Sequence, residues 1–372
     1  MRRVLTLLLL VAGLTTIMAQ QAEQFSVATL NVDGLPKKIL IFKVNKDGPG
    51  DAGTARIGKY LLQKQYDMMF MQEDFNYHEV LKVFLEDDYT FDTWSGDVEL
   101  DGHTIDFLHL QNHRFECDGL MTCWKKGLTV TPASRKAWTQ NFGKFSHALD
   151  EMVTKGFRRY EVTLKNGTRL VCYNMHMDAT DDADEQEGND GKDKEARMAQ
   201  WMQLKEDIMT QLDTRPVIIL GDMNSLYGCD AVKQQFIDAI NETGRASVAD
   251  VWVEISQKGT FPTTKESSQK AGESLDKILY INPTTGTQIK PVAYKMDIDG
   301  YKYEGNALGD HYPVSATFEV VSKSTDITGP TSHVTGGEST YYSLDGRQVT
   351  EPVKGGVFIE RKDGQTSKRI IK

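Results

Sequence analysis

The sequence, 372 residues long, predicts an α+β protein in which mixed β-sheets pack together and are covered by helices. Short apolar runs such as Val217–Leu220 have the length of buried strands and are too short for helices. The dipeptide Asn166-Gly167 lies between the strand-like segments Arg158–Leu164 and Arg169–Asn174, which predicts an antiparallel hairpin. Longer segments with apolar residues at helical spacing separate other strands, so parallel neighbours should occur as well.

In the N-terminal half, strand-like and helix-like segments alternate. Phe25–Asn31 is the first predicted strand, and the glycine-rich loop Gly48–Gly53 leads into a helix. Asp67–Met71 is a second buried strand, and weaker strand signals lie at Ile105–Leu110 and Gly119–Trp124. Apolar residues at i, i+3 and i+4 spacing define the buried faces of two helices: Ile57, Tyr60 and Leu61 in the first, and Val80, Leu81, Phe84 and Leu85 in the second.

In the C-terminal half, an acidic stretch from His176 to about Asp193 predicts a solvated loop, and a long helix then runs to Leu212. Its apolar side should face the core: Met198, Trp201, Met202, Ile208, Met209 and Leu212. A short helix is predicted near Ala231–Ile240, and strands at Ser274–Ile281 and Val314–Val321.

The N-terminal segment has the three parts of an export signal. Met1-Arg2-Arg3 is basic, residues 4–18 are apolar, and Ala19 is a small residue of the kind that precedes cleavage. A membrane anchor is the alternative, but the run is short for a bilayer span, which needs about 20 apolar residues. We therefore predict a cleaved signal peptide, residues 1–19, and a secreted, periplasmic or cell-surface protein.

The rest of the chain divides into three predicted parts. Residues 20–321 form one large domain, which is long enough to bury a sizeable core. Residues 322–340 are rich in Ser, Thr and Gly and predict a linker. Residues 341–372 predict a small β module with turns at Asp345-Gly346, Gly355-Gly356 and Asp363-Gly364.

The charge of the chain disfavours nonspecific binding to nucleic acid. The sequence has 43 Lys and Arg against 53 Asp and Glu, a net charge of −10. Loss of Arg2 and Arg3 with the signal peptide leaves 41 basic residues and a net charge of −12. An acidic surface repels polyanions, so a general nucleic-acid binder would be expected to be more basic.

The four cysteines do not form a disulfide or zinc scaffold. Cys117 and Cys123 could close a short loop in an exported protein, and Cys172 lies in an apolar strand. Cys229 is isolated in the sequence, and no Cys-x-x-Cys pair occurs.

Polar residues follow or begin several of the predicted strands. They are Asn31, Glu73, His176 with Asp178, Asp222 with Asn224, Asp276, and Asp310 with His311. Taken singly, each has an ordinary alternative: Asp222 and Asn224 suit a turn, Glu73 a helix cap, and His176 a structural position in the core. Strand ends hold side chains rigidly while the adjoining loops expose them, so together these residues predict one functional site.

The residue types in this set fit hydrolysis at phosphorus. Oxygen ligands from Asn31, Glu73 and Asp310 suit a hard divalent ion such as Mg²⁺, with Mn²⁺ or another divalent cation as alternatives. Histidines and further carboxylates can act as general base, orienting partner and stabiliser of developing charge. In such chemistry the metal polarises the phosphoryl oxygens while a base activates water.

An ordered set of motifs resembles the endonuclease/exonuclease/phosphatase superfamily between about Phe25 and Val320. The motifs are Thr29-Leu30-Asn31-Val32, Gln72-Glu73, Asn174-Met175-His176, Gly221-Asp222-Met223-Asn224, Ser274-Leu275-Asp276 and Gly309-Asp310-His311. The resemblance implies a four-layer αββα sandwich with two mixed β-sheets and an active site across the upper edge of both sheets.

The resemblance also implies roles for the site residues. Glu73 would be the principal metal ligand, with Asn31 and Asp310 nearby. His311 would be the general base, held by Asp276, while His176 and Asn224 would contact the phosphoryl oxygens. Asp222 would position water or ligate metal, and members of the superfamily differ in which group is assigned the base.

Within the superfamily, the chain is most similar to bacterial neutral sphingomyelinases. The supporting pieces are Lys155-Gly156-Phe157, His176-Met177-Asp178-Ala179 and Arg197-x-x-Gln200, although Met177-Asp178 replaces the usual apolar–Gln pair. This similarity implies a Mg²⁺-dependent phosphodiesterase that converts sphingomyelin to ceramide and phosphocholine. It would act as a monomer at a membrane surface, without spanning it. Aromatic residues near Phe261-Pro262 or Tyr301-Lys302-Tyr303 are candidates for a membrane-facing hairpin, and core packing is their alternative.

Two other functions are compatible with the sequence. An extracellular Mg²⁺-dependent nuclease of the same fold is one, and a basic groove beside the site would favour it. A noncatalytic surface-binding protein would not need the full set of metal ligands and bases. The C-terminal motifs Tyr342–Arg347 and Lys354–Ile359 resemble the terminal β modules of exported Bacteroidetes proteins. That resemblance implies sorting or surface retention, and a stabilising appendage is the alternative.

Overall fold

The structure is a computed structural model that describes most of the large predicted domain. The described residues are 23–39, 42–43, 45–92, 110–111, 114–115, 117–143, 150–180, 191–321, 340–343, 347–350, 353, 357–362 and 365–370. The predicted signal peptide and residues 322–339 of the predicted linker lie outside them. The chain separates into two compact units, Met1–Lys323 and Ser324–Lys372.

The first half of the larger unit begins and ends with strands. In chain order its elements are β1 (Gln24–Asn31), β2 (Lys38–Ile39), β3 (Phe42–Lys43), α1 (Gly50–Lys64), β4 (Met68–Gln72), α2 (His78–Leu85), β5 (Tyr89–Phe91), β6 (Leu110–Gln111), β7 (Arg114–Phe115), β8 (Met121–Lys125), β9 (Thr129–Ala137), β10 (Gly156–Thr163) and β11 (Arg169–His176).

The second half begins with the long helix. Its elements are α3 (Lys192–Gln211), β12 (Val217–Asp222), a π-helix (Lys233–Asp238), α4 (Ala239–Asn241), β13 (Ala246–Asp250), α5 (Val251–Ile255), α6 (Lys265–Ala271), β14 (Asp276–Pro283), β15 (Gln288–Met296), β16 (Lys302–Tyr303), β17 (Asn306–Ala307) and β18 (Val314–Val321). Among the described residues, no helix has both the length and the apolar character needed to span a bilayer.

Two six-stranded sheets form the centre of this unit. The first sheet has the order β15-β18-β1-β4-β8-β5, and the second has the order β13-β14-β12-β11-β10-β9. Each sheet contains one parallel pair, β1 with β4 and β11 with β12, among antiparallel neighbours. Both sheets are therefore mixed, as the sequence predicts.

Side-chain alternation along the strands generates four layers. Val27 and Phe70 of the first sheet pack with Cys172 and Ile218 of the second in a core between the sheets. Residues one position further along face outward. Ala28 and Met71 contact α1 and α2, while Tyr173 and Ile219 contact α3 and α5. The order helix, sheet, sheet, helix confirms the predicted αββα sandwich.

Several predicted elements differ from the structure in extent. Helix α1 begins at Gly50, so the last four of the six residues in the predicted Gly48–Gly53 loop are helical. Met202 is 41% exposed, so its predicted place in the core is wrong. The predicted short helix at 231–240 is mainly the π-helix, and the hairpin at Asn166-Gly167 is confirmed by the β10–β11 pairing.

The cysteines and the C-terminal unit complete the description of the fold. No disulfide links Cys117 to Cys123, and both side chains are buried. In the C-terminal unit the described residues form a four-stranded antiparallel sheet in the order β20-β19-β21-β22, with strands β19 (Thr340–Tyr342), β20 (Gln348–Val349), β21 (Val357–Lys362) and β22 (Gln365–Ile370). The three predicted turns of this module lie outside the described residues.

Candidate active site

The site residues continue the inward-facing positions of the central strands. Ile218 and Leu220 of β12 lie in the inter-sheet core, and Asp222 is the next residue of the same face. His176 ends β11 two residues after the buried Asn174. Strand pairing places His176 opposite Asp222, and Asp222 opposite Asp276 of β14. One end of the inter-sheet space therefore carries polar groups where the apolar core stops.

Asn31 links the two sheets at this end. Its Nδ2 donates to Oε1 of Glu73 at 2.9 Å and to Oδ2 of Asp222 at 3.1 Å. Its Oδ1 accepts the backbone N–H of Asp33 at 2.9 Å. The amide thus presents its nitrogen to both carboxylates, and it would have to turn its oxygen towards Glu73 to serve as a metal ligand.

Glu73 occupies a backbone conformation that is unusual for a side chain of its kind. Its φ is 54°, in the left-handed region, directly after the end of β4. Burial raises the pKa of the Glu73 carboxyl, with Asp310 adding to the effect, while Lys155 and Asn31 oppose it. Strained residues of this type cluster at functional sites because the surrounding structure holds them in place.

His311 lies between two carboxylates. Its Nδ1 is 2.7 Å from Oδ2 of Asp276, and its Nε2 is 3.7 Å from Oδ2 of Asp222. Burial alone would lower the pKa of His311, but Asp276 and Asp222 hold it well above its ordinary value. Burial raises the pKa of Asp222, which His311 counteracts. The two carboxylates therefore favour the protonated form of the ring.

His176 is buried beside a lysine. Its Nε2 lies 3.2 Å from Nζ of Lys155, 3.4 Å from Asp222 Oδ2 and 3.9 Å from Glu73 Oε1. Burial lowers the pKa of His176 well below its ordinary value, and Lys155 and His311 lower it further. Lys155 also pairs with the buried Asp150, which keeps the pKa of the lysine raised despite burial. The site therefore contains a neutral imidazole next to a buried ammonium group.

Asn224 and Asp310 lie at the margin of this cluster. Asn224 donates its Nδ2 to the carbonyl oxygen of Met177 at 3.0 Å, and its backbone N–H bonds Oδ1 of Asp222 at 3.1 Å. Asp310 is exposed and precedes His311. Burial raises the pKa of the nearby Asp33 to about 7, and the charges of Asp310 and Glu73 add to the effect. The structure thus brings the eight residues with predicted catalytic or metal-binding roles to one end of the sandwich. Asp178, the ninth residue of the predicted set, bonds Gln200 of α3.

Solved structures share this fold at low sequence identity. TDP2 from D. rerio, crystallised with a single-strand DNA product, is 17% identical, with a TM-score of 0.50 over 80% of this chain and 99% of that chain. An endonuclease/exonuclease/phosphatase from Bacteroides vulgatus is 15% identical, with a TM-score of 0.50 over 80% of this chain and 100% of that chain. The protein has the endonuclease/exonuclease/phosphatase fold.

Other comparisons add no detail about the substrate. A beta toxin from Staphylococcus aureus is 17% identical, with a TM-score of 0.49 over 78% of this chain and 99% of that chain, which is too distant to inform the chemistry. No family model and no curated protein matches the chain. The solved structures confirm the fold that the sequence motifs imply, the endonuclease/exonuclease/phosphatase fold.

In this endonuclease/exonuclease/phosphatase fold, two buried amide side chains between the sheets support the site. Gln72 donates its Nε2 to Oδ1 of Asn174 at 2.7 Å and so connects β4 to β11 across the two sheets. Asn174 donates to the carbonyl oxygens of Met71 and Met121 at 3.1 and 3.0 Å. Because Gln72 precedes Glu73 and Asn174 lies two residues before His176, this network fixes the spacing between the two sheets at the site.

A glycine allows the two parallel strands under the site to approach closely. A Cβ at Gly221 would lie 2.0 Å from the carbonyl oxygen of Met175 on the neighbouring strand, a distance that no side chain can occupy. Strand β12 continues through Gly221 to Asp222, two residues beyond the predicted run Val217–Leu220.

The loop after β11 is held by a second network. Gln200 of α3 donates to Oδ1 of Asp178 at 2.7 Å and accepts the backbone N–H of Asp178 at 3.0 Å. Arg197, on the same helix, forms an ion pair with the buried Asp230 and donates to the hydroxyl of Thr180 at 2.6 Å. The spacing Arg197-x-x-Gln200 therefore places two polar side chains on one face of α3, where they hold the segment after His176.

The donor set fits a divalent cation. Glu73 and Asp222 both have raised pKa values because burial leaves their charges poorly compensated, and a divalent cation would relieve that cost. Oxygen donors from Glu73, Asn31 and the nearby Asp310 match the preference of Mg²⁺. Asp222, Asp276 and His311 form a second possible ligand group, with one potential ligand atom from each within 4.8 Å of the others.

Sequence reasoning did not assign roles to Lys155, Asp150, Gln72 and Asn174. Lys155, Gln72 and Asn174 stand inside the motifs that carry the family resemblance, whereas Asp150 follows residues outside the described part of the chain. Side chains alternate along a strand, so the inward position of Cys172 predicts that Asn174 also faces inward. The position of Asn174 could therefore be inferred from the sequence. The contacts of Lys155 with Asp150 and His176 depend on tertiary structure and leave no local pattern.

Proposed function

We propose that the protein is a secreted, divalent-metal-dependent phosphodiesterase that removes the headgroup of a phospholipid, converting sphingomyelin to ceramide and phosphocholine. The observation that carries the hydrolase assignment is the convergence of the His311–Asp276 pair with Asp222, beside Glu73 and Asn31. A histidine held by a carboxylate and directed into a cluster of metal-type ligands is suited to activating water.

In this proposal His311 accepts a proton from the attacking water. Asp276 fixes the tautomer through Nδ1, so that Nε2 is the nitrogen that faces Asp222 and the reaction space. Both carboxylates stabilise the imidazolium formed during proton transfer, in agreement with the raised pKa of His311. Asp222 is the alternative base, and its neighbour Asn31 would then orient it.

The remaining side chains would hold the phosphoryl group. His176, neutral because burial and Lys155 lower its pKa, and Lys155 itself would stabilise negative charge on the phosphoryl oxygens. Asn224 would add an amide at the margin. A divalent cation, Mg²⁺ in this proposal, would be held by Glu73 and Asn31 with Asp310 nearby, and it would polarise the phosphoryl oxygens.

The acidic surface favours a zwitterionic lipid over a nucleic acid. The chain without its predicted signal peptide carries a net charge of −12, which opposes long-range attraction of a polyanion. Of the residues expected to face a membrane, Tyr301 is fully buried and Phe261 packs edge-on against Tyr227. Tyr303 of β16 is 45% exposed and is the aromatic residue of this group available to a lipid surface.

A nuclease is the second candidate function. It is favoured by the likeness to TDP2 from D. rerio, whose crystal structure contains a single-strand DNA product. The test is an assay panel with purified chain lacking residues 1–19. Sphingomyelin, a lysophospholipid, DNA, RNA and a phosphomonoester are each supplied with and without Mg²⁺. We expect Mg²⁺-dependent release of phosphocholine from sphingomyelin, whereas cleavage of DNA or RNA alone would replace the lipid assignment.

A further inference from the structure

A groove with a volume of about 610 Å³ lies beside the candidate site. One wall is the segment before and at the start of α1, and the other is the β16–β17 hairpin with the loop that leads to His311. The groove reaches the site at two points. Asp310, which lines it, precedes His311, and the backbone N–H of Asp33, which also lines it, bonds Asn31 at 2.9 Å.

Carboxylates dominate the charge of this groove. Asp33, Asp47, Glu304 and Asp310 line it, and Arg56 is the basic residue among its described lining. Lys37 approaches α1 at Gly50 and does not line the groove. A substrate group that enters from the phosphoryl site would therefore meet a field that attracts a positive charge.

The groove already contains a cation resting on an aromatic ring. The Arg56 guanidinium carbon lies 3.9 Å from the centroid of Tyr303, which is 45% exposed. Ring faces of this kind bind ammonium groups, including quaternary ones. Arg56 is itself exposed, so a ligand cation can displace it from the ring at little cost in burial.

A buried hydroxyl lies at the border between groove and site. Tyr301 is fully buried, and its Oη has no hydrogen-bond partner among the described residues. A Cβ on Gly309, which lines the groove, would lie 3.5 Å from that oxygen. Burial, with Asp310, Asp33 and Asp276, raises the pKa of Tyr301, so the group remains an O–H donor. This hydroxyl marks a buried polar position where the groove meets the site.

We propose that this groove is the subsite for the ammonium end of a zwitterionic phosphodiester headgroup. The phosphate lies at the candidate active site, and the positive end lies among Asp47, Glu304 and the Tyr303 ring. This inference rests on the proposed function, because it assumes that the phosphate of a headgroup occupies the site. It adds the residues that distinguish a cationic headgroup from an anionic one.

Phosphocholine is the direct binding probe, because it is a monoester and its binding needs no turnover. Inorganic phosphate is the matched probe without the ammonium group, and affinities are measured by calorimetry in Mg²⁺. We expect wild type to bind phosphocholine about tenfold more tightly than phosphate, since one ammonium group would gain cation–π and carboxylate contacts. Equal affinity for the two probes would overturn the subsite.

Three variants test the residues of the groove. Glu304→Gln and Asp47→Asn should each weaken phosphocholine binding about threefold, because each removes one partly exposed charge, and leave phosphate binding unchanged or stronger. Arg56→Gln should strengthen phosphocholine binding, because it removes the competing cation. Asp299→Asn, on an exposed acid of the neighbouring turn that does not line the groove, is the control and should change nothing. Equal effects of Glu304→Gln and Asp299→Asn would refute the proposal.

A pair of soluble substrates separates the subsite from the proposed function. Hydrolysis of bis(p-nitrophenyl) phosphate reports phosphodiesterase activity alone, and p-nitrophenyl phosphocholine adds the ammonium group. Glu304→Gln should lower the rate for the second substrate and not for the first. If Glu304→Gln loses activity on both substrates, the subsite is contradicted. If wild type hydrolyses neither substrate, the proposed phosphodiesterase function is contradicted, and the phosphocholine binding measurement alone decides the subsite. If Mg²⁺ binding is lost in the Glu304→Gln/Asp47→Asn double variant, the groove is a metal site instead.

Discussion

Nδ1 of His311 lies 2.7 Å from Oδ2 of Asp276, and the two residues come from different sheets. His311 belongs to the loop before β18 of the first sheet, and Asp276 begins β14 of the second. The hydrogen bond therefore forms only when the two sheets pack in register. It also orients the ring so that Nε2 faces Asp222, 3.7 Å away.

The first prediction concerns this pair as a catalytic unit. His311→Ala should lower kcat by 10²–10⁴-fold, about 3–5 kcal/mol of barrier, which is the usual value of general-base assistance. Asp276→Asn should also be impaired because the ring loses its orienting carboxylate. The double variant should be barely worse than His311→Ala, since residues that act as a unit are non-additive. Steady-state kinetics that show additive losses would mean that the two residues act separately.

The second prediction concerns metal binding through Glu73. Glu73→Gln keeps the size of the side chain and an oxygen that can accept from Asn31, but it removes the charge. We expect Mg²⁺ affinity to fall at least about tenfold and turnover to collapse, with the fold intact. The measurement is the Mg²⁺-induced rise in Tm, together with activity in excess chelator. Glu79→Gln, on an exposed acid of α2, is the matched control. If Mg²⁺ binding is unchanged in Glu73→Gln, the metal ligands are instead Asp222, Asp276 and His311.

The third prediction tests the buried amide pair that joins the sheets. Asn174→Leu removes the donor for the Met71 and Met121 carbonyl oxygens and the acceptor for Gln72. Buried polar groups left without partners should lower the free energy of unfolding by about 2–4 kcal/mol. Urea unfolding of Asn174→Leu, Gln72→Leu and the double variant gives the coupling. The sum of the two single-variant losses in unfolding free energy should exceed the loss in the double variant. If the losses are simply additive, the Gln72–Asn174 hydrogen bond contributes little to stability.

The fourth prediction concerns the C-terminal unit. A chain that ends after Val321 keeps every described residue of both six-stranded sheets and of the candidate site. Its kcat and KM should remain within about twofold of the full chain, with effects confined to location or stability. Circular dichroism establishes that the truncated protein is folded. Lost turnover in a folded truncation would show that the C-terminal residues contribute to the site.

Much of the fold could be predicted because apolar alternation is a local signal. The run Val217–Leu220 identifies a buried strand without knowledge of its neighbours. Strand β9 (Thr129–Ala137) has no such run, contains Pro132 and is half-exposed at the edge of the second sheet. It exists because it pairs with β10, and this non-local pairing leaves no pattern in its own residues.

The site was predictable for a similar reason. A polar residue that follows a buried strand, as Asp222 follows Leu220, is visible in the sequence. The ammonium group of Lys155 is different, because its role depends on Asp150 and His176 lying close to it in space. Sequence can therefore identify polar residues at strand ends, while the charges that shift their pKa values come from tertiary packing.

The last prediction decides between His311 and Asp222 as the base through the pH dependence of the rate. A base must be deprotonated to accept a proton, so the rate rises with pH through the pKa of that group. Asp276 and Asp222 raise the pKa of His311 above its ordinary value of 6.5, so the acid limb of wild type should lie above pH 6.5. Asp276→Asn removes one of these carboxylates, and the limb should therefore move to lower pH.

The same limb distinguishes the two candidates directly. It should disappear in His311→Ala and persist in Asp222→Asn, where it shifts to lower pH because His311 loses its second carboxylate. The profiles are measured as kcat/KM at saturating Mg²⁺, since free-enzyme ionisations control that quantity. If the limb vanishes only in Asp222→Asn and survives in His311→Ala, Asp222 is the base and His311 stabilises charge.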